Sequence, residues 1–464
     1  MSTAPLRLNA FAMACVGHQA AGLWARPEDR SAEYRTLRYW TDLAQLLERG
    51  GFDALFLADV LGVYDVHGGS RDAAVRAAAQ VPVNDPLMAV SAMAAVTEQL
   101  GFGLTVTTTY EQPYALARRL TTLDHLTGGR VAWNVVTGYL DSAARNLGFD
   151  RQVPHDERYD VAEEYLEVCY KLWEGSWEDS AVVRDAERGV YADPAKVHDI
   201  DHHGRWFDVP GAFLCEPSPQ RTPVVFQAGS SPRGQEFAAR HAECVFVIGP
   251  TAKHVRRTVD SLRERVERAG RDPRSVSVYA GLTAVVRPSD AEATALLADY
   301  RARASRDGAL ALFGGWTGVD LAGLAPGEPL QHVTTDANRS ALSSFTSDPD
   351  RTWTVDDLAR FVAVGGRGPV LAGSPATVAD ALEEFAEVSG VDGFNLMYAT
   401  MPGTFADVVD HLVPELARRG RTAPPVAPGT TLRERLGSGE GARLAASHPG
   451  AAHRRPAAGA TARA

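Results

Sequence analysis

"GGRVAWNVVTGYLDSAARNLGFD", residues 128–150, opens as a buried strand. Val131, Trp133 and Val135 alternate with Ala132, Asn134 and Val136, the period of two that a pleated chain requires. Asn134 breaks the apolar pattern. A buried amide without partners costs about 1–3 kcal/mol, so the end of this strand is expected to face something that satisfies it.

Similar runs recur along the chain: "LRLNAFAM", "FDALFLAD", "GFGLTVTTT", "PVVFQAG", "CVFVIG", "SVSVYAGLTAVV" and "DGFNLMYA". Helical stretches separate them, among them 33–49, 113–126, 158–174, 251–269 and 404–419. This alternation implies a parallel sheet with helices outside it. Eight strands in an α/β chain of this size point to a (β/α)8 TIM barrel enlarged by insertions, with a doubly wound open sheet as the alternative. Asp85-Pro86 and Ser374-Pro375 each put a capping side chain before a proline suited to the first helical position.

The barrel is expected to span residues 1–437, with insertions at about 176–220 and 291–368. Long insertions in such barrels form lids or binding loops. Residues 438–464 are rich in Ala, Gly, Pro and Arg with almost nothing apolar to anchor them, and read as a disordered tail.

With 47 basic against 58 acidic residues the chain carries a net charge of −11 and lacks the basic footprint of a nucleic-acid binder. Cys15, Cys169, Cys215 and Cys244 form no C-x-x-C pair, which argues against a zinc ribbon or dithiol redox site and fits a reducing cytoplasm. No apolar run approaches the ~20 residues that span a bilayer. No G-x-G-x-x-G follows a strand, so a nicotinamide held in a Rossmann site is not expected.

Active sites in parallel barrels gather where the strands end. Those ends carry Asp59, Thr105 and Thr107, Asn134 and Thr137, and Gln227, Ser230 and Ser231. "GSSPRG" places two hydroxyls and free backbone N–H groups at a helix start, which suits an anion; an ordinary N-cap is the competing reading. In "HDERYD", His155 and Tyr159 lie four apart on one helical face. "HDIDHHG" tempts toward a metal, but His202 and His203 would point opposite ways in an extended segment, and no metal is expected there.

Four strings, "GGRVAWNVVTGYLDSAARNLGFD", "HDERYD", "YADPAKVHDIDHHGRWFDVPG" and "FQAGSSPRGQEFAARHAECVF", resemble the nitrilotriacetate and dibenzothiophene-sulfone monooxygenase branch of the bacterial-luciferase-like flavin monooxygenases. The similarity runs from about Leu8 to Gly437 and includes the closing "TTLRERLG". It implies a barrel that takes reduced FMN, reacts it with O2 and transfers one oxygen atom to an organic substrate. A separate NAD(P)H-dependent flavin reductase would supply the flavin, and the chain would assemble as a homo-oligomer, a dimer or tetramer. By motif position the FMN contacts are Asp59, Thr105, Asn134, His155, Tyr159, Ser230 and Ser231, with His155, Tyr159 and the serines nearer the phosphate. Asn134 would then meet the edge of the flavin ring and share in catalysis.

Oxygen chemistry on a flavin demands a dry pocket, and the insertion 291–368 is the expected lid. His18 is the leading candidate for a positioned acid or base. Phe11, Phe56, Phe246, Ile248 and Trp316 are expected to wall the substrate pocket. Some relatives have a histidine before the Thr-Gly of "WTGVDL", where this chain has Trp316. The apparent absence of basic strand-end residues favours an apolar or aromatic substrate, such as an aryl sulfone or a heterocyclic natural product. Arg233 and Arg367 could enter from loops, Arg233 being better placed for the flavin phosphate. The alternatives are a deazaflavin (F420)-dependent oxidoreductase of the same superfamily, a non-catalytic partner subunit, and a barrel acting on a phosphorylated metabolite.

Overall fold

A computed structural model describes residues 5–331, 335, 337–346 and 351–455 of the chain. Eight strands, β1 (Arg7–Met13), β2 (Ala54–Ala58), β3 (Gly101–Thr107), β4 (Val131–Val136), β5 (Val224–Gln227), β6 (Cys244–Val247), β7 (Ser277–Val286) and β8 (Gly393–Met397), each pair in parallel with two neighbours. The β8–β1 pairing closes the ring, so the sheet is a barrel and the open-sheet alternative is excluded.

A helix follows each strand: α1 (Leu37–Arg49), α2 (Leu87–Ala94), α3 (Pro113–Thr127), α4 (His155–Tyr170), α5 (Pro232–His241), α6 (Ala252–Arg268), α7 (Pro375–Ser389) and α8, which starts at Gly403–Asp407 and continues to Arg418. The proline-start helices are capped as their sequences require. Asp85 accepts the Leu87 N–H at 2.9 Å and Ser374 that of Thr377 at 3.4 Å. Pro86 itself forms the N-cap of α2, one residue earlier than the first helical position read from the sequence.

Alternation along β4 divides the core in two. Trp133 faces outward against Tyr165 and Trp173 and donates to the Val106 carbonyl. Ala132 faces the barrel interior, where Phe11, Phe56, Phe226, Phe246 and Tyr279 pack. Gly281 on β7 makes room for them, since a Cβ there would lie 2.8 Å from the Phe246 ring. The interior ends below on Leu432 and Leu436 of the short helix Leu432–Leu436, whose Thr431 and Glu434 form a capping box.

The insertion at 291–368 is mainly helical, with helices Asp290–Arg303, Arg306–Thr317, Arg339–Thr346 and Val355–Val362. Residues 332–334, 336 and 347–350 of it lie outside the described residues. The 176–220 insertion folds as two small hairpins on the outside of the barrel. Glu164 of α4 accepts the backbone N–H groups of Arg205, Trp206 and Phe207, which ties the second hairpin down.

The expectation of a disordered segment from Ser438 onward is corrected for residues 438–455, which pack on the barrel. Ser438 donates to Glu243, His448 pairs with the His241 carbonyl at 2.7 Å, and Leu444 is buried. Arg443 and Arg454 both bond the buried carboxylate of Glu174, at 3.1 and 2.9 Å. Polar anchors, rather than the apolar ones sought in the sequence, hold this segment. The remainder, 456–464, lies outside the described residues.

Candidate active site

One cavity of about 370 Å³ opens at the strands' C-terminal end. Its wall includes Asp59, Thr105, Asn134, His155, Tyr159, Ser230 and Ser231, read above as flavin contacts, and Phe11, His18, Phe56, Phe246, Ile248 and Trp316, read as the acid–base candidate and the substrate walls. Thr107, Thr137 and Gln227 line it as well.

Thr105 and Asn134 are register partners across β3 and β4, so both side chains reach the same side of the sheet and the Asn134 amide donates to Thr105 at 2.9 Å. The other half of the amide is unmatched. Asn134 Oδ1 is buried with no hydrogen-bond partner among the described residues, an acceptor held ready on the cavity wall.

His155 and Tyr159 occupy the first turn of α4 with ring centroids 5.4 Å apart, as their spacing implied. His155 Nδ1 pairs with Asp156 and Nε2 lies 3.3 Å from Ser231 Oγ. Ser231 is also the N-cap of α5, accepting the Gly234 N–H at 3.1 Å, so the capping reading and the ligand reading meet in one side chain. The chain must come close here: a Cβ on Gly229 or Gly234 would collide with the Tyr159 hydroxyl, at 2.5 and 2.6 Å. A hydroxyl pair, an imidazole and a helix N-terminus in a cradle that side chains cannot fill form a fitting donor set for a phosphate.

Phe11, Phe56 and Phe246 meet edge to face at 4.9–5.8 Å. They are the top layer of the barrel interior and the floor of the cavity at once. His18 packs on Phe11 at 4.5 Å and is buried. Burial drives its pKa down to about 3, so at neutral pH the ring is uncharged and acts through hydrogen bonds. Asp59 is the group poised near neutrality, because burial, and then the neighbouring Asp85, push its pKa up to about 7.

A hydrogen-bond chain overlooked in the sequence runs along the rim. The Gln80 amide donates to the His18 carbonyl at 2.9 Å, which turns Gln80 Oε1 toward the Tyr64 hydroxyl at 2.7 Å. Tyr64 therefore donates to Gln80, and Tyr139, 2.7 Å away, donates to Tyr64. Tyr139 lies within the opening quoted string, two residues past Thr137. Its hydroxyl is left with acceptor capacity toward the cavity.

The expectation of a wall without basic residues is corrected. Arg119, Arg158 and Arg367 all line the cavity. Arg233 does not come in; it pairs with Asp160 at 2.8 Å and Glu163 at 3.5 Å on the outer surface. The lid expectation for 291–368 gains a wall contribution from Trp316, Ala337, Asn338 and Arg367, whereas no cavity-lining residue comes from 176–220. His202 turns inward to Glu164 and Lys171 while His203 faces solvent with Asp201 and Asp208, the opposed directions read from the sequence. Among the described residues no group of three or more His, Cys, Asp or Glu side chains could hold a metal, and no helix is long and apolar enough to cross a membrane.

Comparison with known proteins places the chain in a family. The family model for luciferase-like monooxygenases matches residues 11–393. The chain belongs to the luciferase-like monooxygenase family. Dimethyl-sulfide monooxygenase of Hyphomicrobium sulfonivorans is 53% identical over 96% of this chain and 93% of its own. Long-chain alkane monooxygenase of Geobacillus thermodenitrificans is 49% identical over 94% and 95%. The crystal structure of riboflavin lyase with modified FMN and riboflavin superposes with a TM-score of 0.91 at 38% identity, covering 97% of this chain and 100% of that one. The family resemblance drawn from the four sequence strings thus holds across the whole barrel, and the luciferase-like chain is an oxygenase by membership.

Proposed function

We propose that this luciferase-like chain is the oxygenase of a two-component system. It would take reduced FMN from a separate NAD(P)H-dependent flavin reductase and use O2 to insert one oxygen atom into a small, largely apolar organic molecule. The observation that carries this reading is the convergence of Asp59, Thr105, Asn134, His155, Tyr159, Ser230 and Ser231 on one cavity, with an unmatched buried acceptor at Asn134 and the phosphate cradle beside Tyr159. Reduced FMN, when bound, supplies the electrons that activate O2.

The remaining work belongs to the protein. His155, Ser230, Ser231 and the start of α5 hold the phosphate; Asn134 Oδ1 accepts from the ring edge; Phe11, Phe56 and Phe246 exclude water from below. Asp59 holds a proton that can be released or taken up near neutral pH, and uncharged His18 orients groups by hydrogen bonding. The two curated relatives are named for uncharged substrates, a thioether and alkanes, which supports a largely apolar pocket.

The test is turnover of thioethers, alkanes and aryl sulfones under isotopically labelled O2. Product carrying one labelled oxygen is expected only when a reductase supplies reduced FMN. Efficient NADH oxidation by the isolated chain, or product formed without flavin, would refute the reading.

A further inference from the structure

Arg367 is a guanidinium on the cavity wall with no acidic partner among the described residues. It follows Gly365 and Gly366, both in the left-handed region at φ 90° and 59°, which bend the chain against Gln19. Trp316 lies beneath it, with the guanidinium 5.7 Å from the indole centroid. The ionisable groups nearest its charge are the phenols of Tyr139 and Tyr64, and burial brings its pKa down to about 10, so it remains a cation at neutral pH.

None of the wall's carboxylates pairs with it among the described residues, and Asp85 instead accepts the Leu87 N–H. Glu111 is bound by Arg119, and Asp59 is influenced by Asp85 and by no arginine. Arg367 is half-buried; a cation partly withdrawn from water without a counter-charge is destabilised, and such groups cluster where a ligand completes them.

Position separates Arg367 from the phosphate cradle. The cradle follows β4 and β5, whereas the Arg367 loop packs on Gly281 of β7 and on Gln19 after β1, two and four strands round the ring from β5. The His18, Trp316 and Tyr139 side is therefore where this cation acts.

We propose that Arg367 anchors the substrate, and that the cavity takes an apolar organic molecule carrying one oxyanion head, a carboxylate or a sulfonate. A planar guanidinium matches either group with two parallel N–H···O bonds. The aromatic floor of Phe11, Phe56 and Phe246 receives the apolar remainder. This rests on the oxygenase reading for its consequence in turnover, but anchoring is a binding property that can be measured without flavin.

Calorimetric titration of the full-length protein, without flavin and again with FMN, compares 4-phenylbutanoate with 4-phenylbutanamide and phenylmethanesulfonate with benzyl methyl sulfone. At least one anion is expected to bind ten-fold or more tightly than its neutral match, and the pair that discriminates identifies the head group. Arg367→Gln should erase that preference while leaving the neutral ligands and FMN unchanged, and Arg367→Lys should retain part of it. Overturning results are equal binding within both pairs, no binding of either anion at millimolar concentration, a preference that survives in a folded Arg367→Gln protein, or a loss of FMN affinity in that variant as large as the loss for the anion. If the anion preference holds and no labelled product forms with reduced FMN, the oxygenase reading falls and the anchor stands.

Discussion

Arg433, fully buried, and Arg367, half-buried on the cavity wall, sit at opposite ends of the barrel. Arg433, below the strands, uses its whole fork: Glu243 at 2.7 and 3.0 Å and the carbonyls of Gln220, Ala442 and Thr222 at 2.8–3.2 Å. Although burial opposes it, the pair keeps the Glu243 carboxyl below its usual range and raises the Arg433 pKa. Arg367, above the strands, has an indole beneath it and phenols beside it. Asn134 repeats the contrast, one half of its amide satisfied and the other not. The lower end spends its polar groups on one another and fixes the fold, while the upper end keeps several in reserve for what enters the cavity.

The sharpest way to break this comparison is to remove a partner below. Arg433→Ala should cost about 3–5 kcal/mol, the penalty for stranding a buried charge, read as a large drop in melting temperature. Deleting residues 438–464 should cost about 2–3 kcal/mol, because Glu174 loses two charge-assisted bonds and Leu444 leaves its site; an unchanged melting temperature would show that the segment contributes nothing.

Substitution above should act the other way round. Asn134→Leu is expected to leave the melting temperature of the flavin-free protein unchanged or slightly raised, since it removes an unmatched buried acceptor, while weakening FMN binding by about 1–2 kcal/mol. Fluorescence quenching of FMN measures the second effect. A parallel fall in both quantities would place Asn134 with the structural groups.

The smallest effect concerns pH. The folded-state pKa of Asp59 is raised to about 7, above the ordinary carboxylate value, so the folded protein binds the extra proton. Asp59 therefore favours folding relative to Asp59→Asn most at low pH, and that advantage declines as pH rises from about 4 through 7. His18 opposes the trend, as its lowered pKa makes stability rise with pH between about 3 and 6.5. The difference between wild type and Asp59→Asn in chemical unfolding isolates the first contribution, and a difference that is flat across pH 4–7 would contradict it.

All eight strands and the rim from Asp59 to Ser231 were legible because they follow a period of two and sit at strand ends, where parallel topology brings distant segments together. Thr105 and Asn134 became partners through register alone. What stayed hidden depends on direction and pairing, which spacing does not encode. Arg233 and Arg367 both looked able to enter the mouth, yet Arg233 has Asp160 and Glu163 on the adjacent face of α4 to draw it out, and Arg367 has glycines that turn it in. The segment after Ser438 read as disordered because composition reveals apolar anchors and not a distant Glu174. The insertion at 176–220 has the length of a binding loop but is held on the outer face by Glu164.

The phenylalanine floor acts as a depth gauge for molecules entering from above. Phe11, Phe56 and Phe246 interlock, and Gly281 already gives up its side chain to admit them. No smaller residue exists to trade on that strand, so a longer guest gains room downward only if one of the rings is itself replaced. Trimming Phe246 is thus the shortest route by which variants of this barrel would come to accept a longer chain.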